Sequence, residues 1–292
     1  MTSVEDSPSP SYGADLSSDP AAHLPARSAW ADELAFAVET AAAAGTVLMD
    51  HYERLERIDH KSARDVVTEA DHLSEELVIA AIRARFPGDA ILAEESGAHA
   101  ARESRQVNGR TWVIDPLDGT VNYANGLPVF CVSIGFVVDG RPVAGAVLDP
   151  TRGETFAASA DGPATLNGRP IHASAKEKLS DYVISLSLGG RSVASRAGAI
   201  RKEIRIARSM GSASLALAYV GNGRFDAFVQ ESGLSAWDIA AAGLIAERAG
   251  ATVTAFDGAT WYDPARGPRA AGVTAAPAGH HARMVALATG RS

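Results

Sequence analysis

The chain has 292 residues, of which 46% are hydrophobic and 21% charged, and its 27 basic and 35 acidic side chains give a formal net charge of -8. That composition excludes a wholly disordered chain, a collagen-like fibre and a disulfide scaffold, and at about 150 residues per domain it predicts roughly two domains or one large one. The acidic balance argues against broad nucleic-acid binding, which needs a positive footprint, but not against a phosphorylated small substrate if metal ions supply the positive charge.

No apolar run approaches the ~18 residues of a membrane span. Cys131 is the single cysteine, so no internal disulfide can form, and a reducing, cytoplasmic setting is expected. Residues 1–27 are rich in Ser, Pro, Asp and Ala. They lack a basic start followed by an apolar stretch, so the expectation is a disordered tail and not a secretory signal.

The pattern predicts a first helix over Trp30–Tyr52, with Leu34, Val38 and Ala41 or Ala42 at helical spacing. A turn and short strand follow over Arg57–Val67. Thr68 and Asp71 resemble a capping box opening a second helix, which Pro87-Gly88 ends. Its expected buried stripe is Leu73, Leu77, Ile79 or Ala80, and Ile82. Short strands are predicted at Asp89–Ala93 and Thr111–Ile114. Phe130–Val138 and Val143–Leu148 flank a predicted hairpin turn at Asp139-Gly140-Arg141-Pro142, and Glu154–Ala158 is the next strand. Asn167-Gly168 is a strong turn signal.

The second half alternates strands and helices again. Strands are predicted at Tyr182–Leu186, Ile204–Ser209, Phe225–Gln230 and Val253–Ala255, and helices at Ser192–Ile200, Ser212–Gly221 and Trp237–Ala249. A strand and closing helix occupy Ala275–Leu287. The alternation implies layered α/β packing. The boundary between a first half, 28–149, and a second, 150–292, is placed near Asp149-Pro150.

Acidic clusters carry the chemistry. In Asp115-Pro116-Leu117-Asp118-Gly119-Thr120, an apolar strand delivers two carboxylates to one tight turn. Such a pair can converge on a hard cation such as Mg²⁺. Gly119 and Thr120, if they open a helix, offer amides to an anion. The plainer alternative is an Asx-turn followed by a helix cap. Glu94-Glu95 follows the apolar run Ala90–Ala93, and by itself reads as a solvated pair. Trp237-Asp238 opens an apolar helix, where Asp238 alone would be a first-turn Asp worth roughly 0.5–2 kcal/mol. Asp65 to Thr68, with Lys61 upstream, is by itself strand and cap chemistry.

Taken together these runs carry a resemblance. Asp65-Val66-Val67-Thr68-Glu69-Ala70-Asp71, Glu94-Glu95-Ser96-Gly97, Trp112 to Thr120 and Trp237 to Gly243 resemble, in order and spacing, the inositol monophosphatase family of lithium-sensitive, magnesium-dependent phosphatases. The likeness spans about Trp30 to Leu287. It implies an αβαβα sandwich, of the type shared with fructose-1,6-bisphosphatase, with two or three Mg²⁺ ions between the halves. It implies that Glu94, Asp115 and the Leu117 carbonyl hold a first ion, and that Asp115, Asp118 and Asp238 hold a second. Glu94 or Glu95 would help with a weaker third. Asp65 and Thr120 match the family's water-orienting pair, the Gly119 and Thr120 amides its phosphate contacts, and Lys61 a position near the water.

Gly211-Ser212-Ala213 resembles the stretch that lines the family's sugar or polyol pocket. Glu231 stands at the spacing of the hydroxyl-binding Glu before Asp238. Counting forward from Asp226-Ala227 places Gln230 there instead. Glu231 is preferred, because the metal motif is the firmer anchor. The scattered histidines lack zinc-protease spacing and read as structural, and Cys131 reads as core. The family implies a homodimer and hydrolysis of myo-inositol monophosphate. Histidinol phosphate, fructose 1,6-bisphosphate and 3′-phosphoadenosine 5′-phosphate are alternative substrates. A non-catalytic regulatory or RNA-associated role is an alternative of another class.

Overall fold

The computed structural model describes residues 28–54, 58–62, 65–97, 109–190, 192–263, 265–267 and 269–291, with only the backbone of 58–62, 65 and 66. The tail expected over 1–27 lies outside them. Helix α1 (Ala31–His51) buries Ala37, Ala41, Ala44 and Leu48 at intervals of three and four. The hairpin of β1 (Ile58–Ser62) and β2 (Asp65–Thr68) leads into α2 (Glu69–Arg85). Thr68 and Asp71 form the expected capping box. The buried face of α2 differs from the expected stripe: it carries Ala70, Asp71, Ser74, Glu75, Val78 and Ile82. Three polar residues are buried there because that face meets the turn after β4 and the turn after β3.

The first sheet holds β3 (Ala90–Ala93), β4 (Arg110–Asp118), β5 (Cys131–Val138), β6 (Arg141–Asp149), β7 (Glu154–Ser159), β8 (Thr165–Leu166) and β9 (Arg169–Pro170), in that order. β3 and β4 are parallel and the remaining neighbours antiparallel. A short helix, α3 (Thr120–Ala124), follows β4. The expected division at Asp149-Pro150 falls inside this sheet, since β6 and β7 pair across it.

Next come β10 (Val183–Ser187), α4 (Val193–Glu203), β11 (Ile206–Arg208), α5 (Ala213–Gly221), β12 (Ala227–Leu234), α6 (Ala236–Arg248), β13 (Ala251–Ala255), β14 (Ala271–Pro277) and α7 (Ala278–Thr289). The second sheet runs β11-β10-β12-β14-β13.

Three apolar clusters glue the layers together. Ala41, Leu48, Val78 and Ile82 of α1 and α2 pack with Trp112, Ile114 and Phe136 of the first sheet. Leu215, Leu217, Ile239 and Leu244 of α5 and α6 lie between Val113, Val147 and Phe156 on one side and Phe228, Val253 and Val273 on the other. Ile184 and Val229 of the second sheet meet Ile200 of α4 and Met284 and Leu287 of α7. The order of layers is therefore α, β, α, β, α, as the resemblance implied. Among the described residues no helix is long and apolar enough to cross a membrane.

Two contacts set how deep α6 sits. Gly135 and Gly145 are paired across β5 and β6. A Cβ on Gly135 would lie 2.7 Å from Ala240 Cβ, and one on Gly145 2.8 Å from Ala241 Cβ. Bare backbone lets the helix that carries Asp238 press onto the sheet that carries Asp115 and Asp118.

Candidate active site

The site begins with a bulge. β4 runs to Asp118, beyond the expected end at Ile114. Asp115 pairs with Ser133 and Asp118 with Cys131, so three steps on β4 oppose two on β5. In a regular strand, residues three apart point to opposite faces. The extra residue cancels that alternation and brings the two carboxylates to one side. Pro116 sits within the bulge, where its missing N–H breaks no ladder bond. Gly119 then turns the chain at φ 97, in the left-handed region, and a Cβ there would lie 2.9 Å from Val129 O.

Asp115, Asp118 and Asp238 converge, each offering an oxygen within 4.8 Å of the others. Each also spends one oxygen on local structure. Leu117 N donates to Asp115 Oδ1 at 3.1 Å. Ser212 Oγ and Ser214 N donate to Asp118 Oδ2 at 2.8 and 2.6 Å. Ser235 N donates to Asp238 Oδ2 at 2.6 Å, closing the capping box of α6. The cap and the metal roles of Asp238 are thus compatible, one per oxygen.

The remaining oxygens point to a cation. Asp115 Oδ2 is buried and makes no hydrogen bond. Burial pushes the Asp115 carboxyl well above the usual range, and Glu94, Asp118 and Asp238 add repulsion. Burial, then Asp118, raises Asp238 likewise. Burial also raises Asp118, against the opposing hydrogen bonds from Ser212 and Ser214. A buried carboxylate cluster is unfavourable unless a positive charge joins it. All-oxygen donors fit a hard divalent ion such as Mg²⁺, so these residues fit the expected metal. Glu94, Leu117, Gly119, Thr120 and Gly211 complete the cup around the three Asp residues.

Glu94 and Glu95 follow β3, where Glu94 N donates to Ile114 O at 3.2 Å. Their turn is held by Glu75 of α2, whose buried carboxylate accepts Glu95 N at 2.8 Å and Ser96 N at 2.7 Å. Ser74 Oγ donates to Pro116 O at 3.0 Å. One face of α2 therefore braces both acidic turns.

Thr120 Oγ1 hydrogen-bonds Asp71 Oδ1 at 3.1 Å. Asp65, the residue expected beside Thr120, lies on β2, the strand packed against the helix that Thr120 opens. The other Asp71 oxygen, Oδ2, accepts Thr68 N at 2.8 Å and Thr68 Oγ1 at 2.6 Å. Burial pushes the Asp71 carboxyl up to about 6, with Glu95 adding repulsion against the opposing hydrogen bonds. Lys61 and Asp65 lie on the β1–β2 hairpin, and their side chains are outside the described set. Asp71 was read only as a cap. A polar set at 71, 74 and 75 on the apolar face of α2 was the sequence signal for its second role.

A cavity of about 300 Å³ adjoins the cup, lined by Ser185, Ser187, Ser209, Gly211, Ser212, Ala213, Gln230 and Arg269 among others. Gly211, Ser212 and Ala213, expected in a substrate pocket, all line this cavity, and the Ser212 hydroxyl serves Asp118. The preference for Glu231 is overturned. Phe228 and Gln230 line the cavity, and strand alternation turns Glu231 to the other side of β12. There it pairs with Arg196 at 2.8 Å and accepts Gly189 N at 2.8 Å. Cys131 is fully buried, 3.8 Å from Asp118 Oδ2, and burial pushes its thiol up. His281 is buried against Thr254 and Thr274, in a structural role as expected.

Known proteins resemble this chain in sequence and fold. The chain is 38% identical over 237 residues to a protein named Nus factor SuhB from Pseudomonas aeruginosa, covering 77% of this chain and 86% of that protein. It is 34% identical over 224 residues to inositol monophosphatase 2 of Solanum lycopersicum, covering 74% and 84%. An inositol monophosphatase structure from Thermotoga maritima superposes with a TM-score of 0.79 at 31% identity, over 89% of this chain and 98% of that one. One from Anabaena gives 0.75 at 33% identity, over 89% and 96%. The inositol monophosphatase family profile matches residues 30–290. With that span, those relatives and the convergent carboxylates, the chain belongs to the inositol monophosphatase family.

Proposed function

We propose that the protein is a Mg²⁺-dependent phosphomonoesterase for small phosphate esters, with myo-inositol monophosphate as the leading candidate substrate. One observation carries the reading: Asp115, Asp118 and Asp238 converge beside a Thr120–Asp71 hydrogen bond. Glu94, Asp115 and the Leu117 carbonyl would hold one ion. Asp115, Asp118 and Asp238 would hold another, and Glu94 or Glu95 would assist a third. Bound divalent ions supply charge neutralisation of the ester and activation of water.

The chain's own residues do the rest. Thr120 has one hydroxyl hydrogen and two acceptors, Leu117 O at 2.9 Å and Asp71 Oδ1 at 3.1 Å. With the Leu117 carbonyl engaged elsewhere, that hydrogen goes to Asp71. Thr120 Oγ1 then accepts a hydrogen bond from the attacking water, and Asp71 receives the proton passed on. The amides of Gly119 and Thr120 orient the phosphate. Lys61 and Asp65 complete the water site on the resemblance alone.

The test is phosphate release from myo-inositol 1-phosphate with Mg²⁺ and then with EDTA. Fast release abolished by EDTA is expected. No release from this or any related ester, with Mg²⁺ bound, overturns the reading. The relatives named Nus factor favour a second reading, a role with a macromolecular partner. Asp115→Asn separates the two, since it should end turnover and leave a partner role intact.

A further inference from the structure

Asp118 and Asp238 come from different layers, one from the end of the first sheet and one from the helix pressed onto it. One residue touches both. Ser214, fully buried in the first turn of α5, donates its amide to Asp118 Oδ2 at 2.6 Å and its hydroxyl to Asp238 O at 3.0 Å. The preceding carbonyl of α6 is held from the sheet. Ser133 Oγ, also fully buried, donates to Trp237 O at 3.1 Å. Ser133 stands opposite Asp115 in the β4–β5 ladder, and directly opposed residues share one side of a sheet. The first turn of α6 is thereby tied both to the strand pair that carries Asp115 and to the helix that caps Asp118. The helix itself needs neither bond, since a carbonyl there accepts from the amide four residues on. Two hydroxyls on the second lone pairs of successive carbonyls fix where that turn sits. With Asp238 Oδ2 spent on Ser235 N, they also fix where the other Asp238 oxygen points.

We propose that Ser214 and Ser133 are positioning residues that hold the cup of Asp115, Asp118 and Asp238 at one spacing before an ion arrives, and that this spacing selects Mg²⁺ over Ca²⁺. The proposal rests on the metal-dependent reading of the site given above. Like charges at the three positions push apart when no cation is bound, and the two serines work against that opening. Mg²⁺ takes oxygens at about 2.0–2.1 Å in near-octahedral geometry, whereas Ca²⁺ accepts about 2.3–2.6 Å and irregular arrangements. A cup freed to widen therefore loses more affinity for the smaller, stricter ion than for the larger one.

Calorimetry on the full chain, stripped of metal, measures Mg²⁺ and Ca²⁺ affinity for wild type, Ser214→Ala and Ser133→Ala. Ser214→Ala removes the hydroxyl and leaves the amide on Asp118. Its Mg²⁺ affinity should fall by about tenfold or more, the range for partners behind metal ligands, and its Ca²⁺ affinity by about threefold or less. Ser133→Ala should move the ratio of the two affinities the same way but less, because it holds the neighbouring peptide. Urea midpoints of the metal-free variants separate packing from positioning. A purely structural serine lowers the midpoint and leaves the Mg²⁺ to Ca²⁺ ratio where it was. A ratio unmoved in both variants, or equal losses for the two ions, overturns the proposal. Should Ser214→Ala fail to fold, the ratio in Ser133→Ala decides by the same criterion. A wild type that binds neither ion strikes the metal-dependent reading itself, and this proposal with it.

Discussion

The amide of Ser214 donates to Asp118 Oδ2 over 2.6 Å, so a carboxylate at the end of the first sheet closes the first turn of a helix in the second half. Ser212 Oγ adds 2.8 Å to the same oxygen. The metal cup is therefore assembled across the two sheets, and its shape depends on their docking. Ser212→Ala removes a hydrogen bond to a charged group, worth about 1.5–3 kcal/mol. Urea unfolding of the metal-free protein should show a loss of that order, and the Mg²⁺ needed for half-maximal activity should rise. An unchanged unfolding midpoint would mean the bond contributes nothing.

Asp71 ties stability to pH. Burial raises its carboxyl from 3.8 to about 6, so the folded chain holds that proton more tightly than the unfolded chain. The stabilisation this gives is complete below about pH 4 and lost as pH rises through about 6. Two units correspond to roughly 3 kcal/mol. Asp71→Asn cannot lose this proton, so its metal-free stability relative to wild type should climb by up to that amount across the window. The same variant should lose activity by about 10²-fold or more, because its amide cannot take up a proton. Parallel stability curves for the two proteins would contradict the linkage.

Glu75 acts at a distance from the ions. Its two oxygens receive the amides of Glu95 and Ser96 and so position Glu94. Glu75→Gln keeps the volume and turns one acceptor into a donor that faces an N–H. Partners behind metal ligands typically change affinity by about 10- to 100-fold. The Mg²⁺ dependence of turnover should shift upward by that range, with helix content by circular dichroism unchanged. A shift below twofold would assign Glu75 to stability alone.

Gly135→Ala tests the depth of α6. The new methyl would stand 2.7 Å from Ala240 Cβ and 3.2 Å from Ala241 N. Overpacking of this kind costs about 1–3 kcal/mol. Because Asp238 rides on α6, Mg²⁺ affinity should fall together with stability. A stable variant with weakened metal binding would show that the helix had moved without unfolding.

Much of the site was readable along the chain. Asp115, Asp118 and Asp238 each stand in a run whose neighbours announce a turn or a helix start, and local chemistry places them at element ends. Asp71 was half legible: Thr68 and Asp71 declared a capping box, which accounts for one carboxylate oxygen and is silent about the other. Gln230 and Glu231 were not separable by counting. A local shift of one residue exchanges cavity for outer face, because strand side chains alternate with a period of two.

The sequence by itself determined the α/β layering, the family, the acidic turns and their order. Those follow from hydrophobic period, capping residues and Gly or Pro at turns, which act within a few positions. Tertiary structure decided what was shared across elements: Asp71 against Thr120, Glu75 beneath Glu95, Ser214 on Asp118, and Glu231 drawn away by Arg196. Each of those pairings joins residues 20 to 96 positions apart. Their meeting depends on how deeply α6 packs on Gly135 and Gly145 and on which face β12 presents, and no local pattern encodes either.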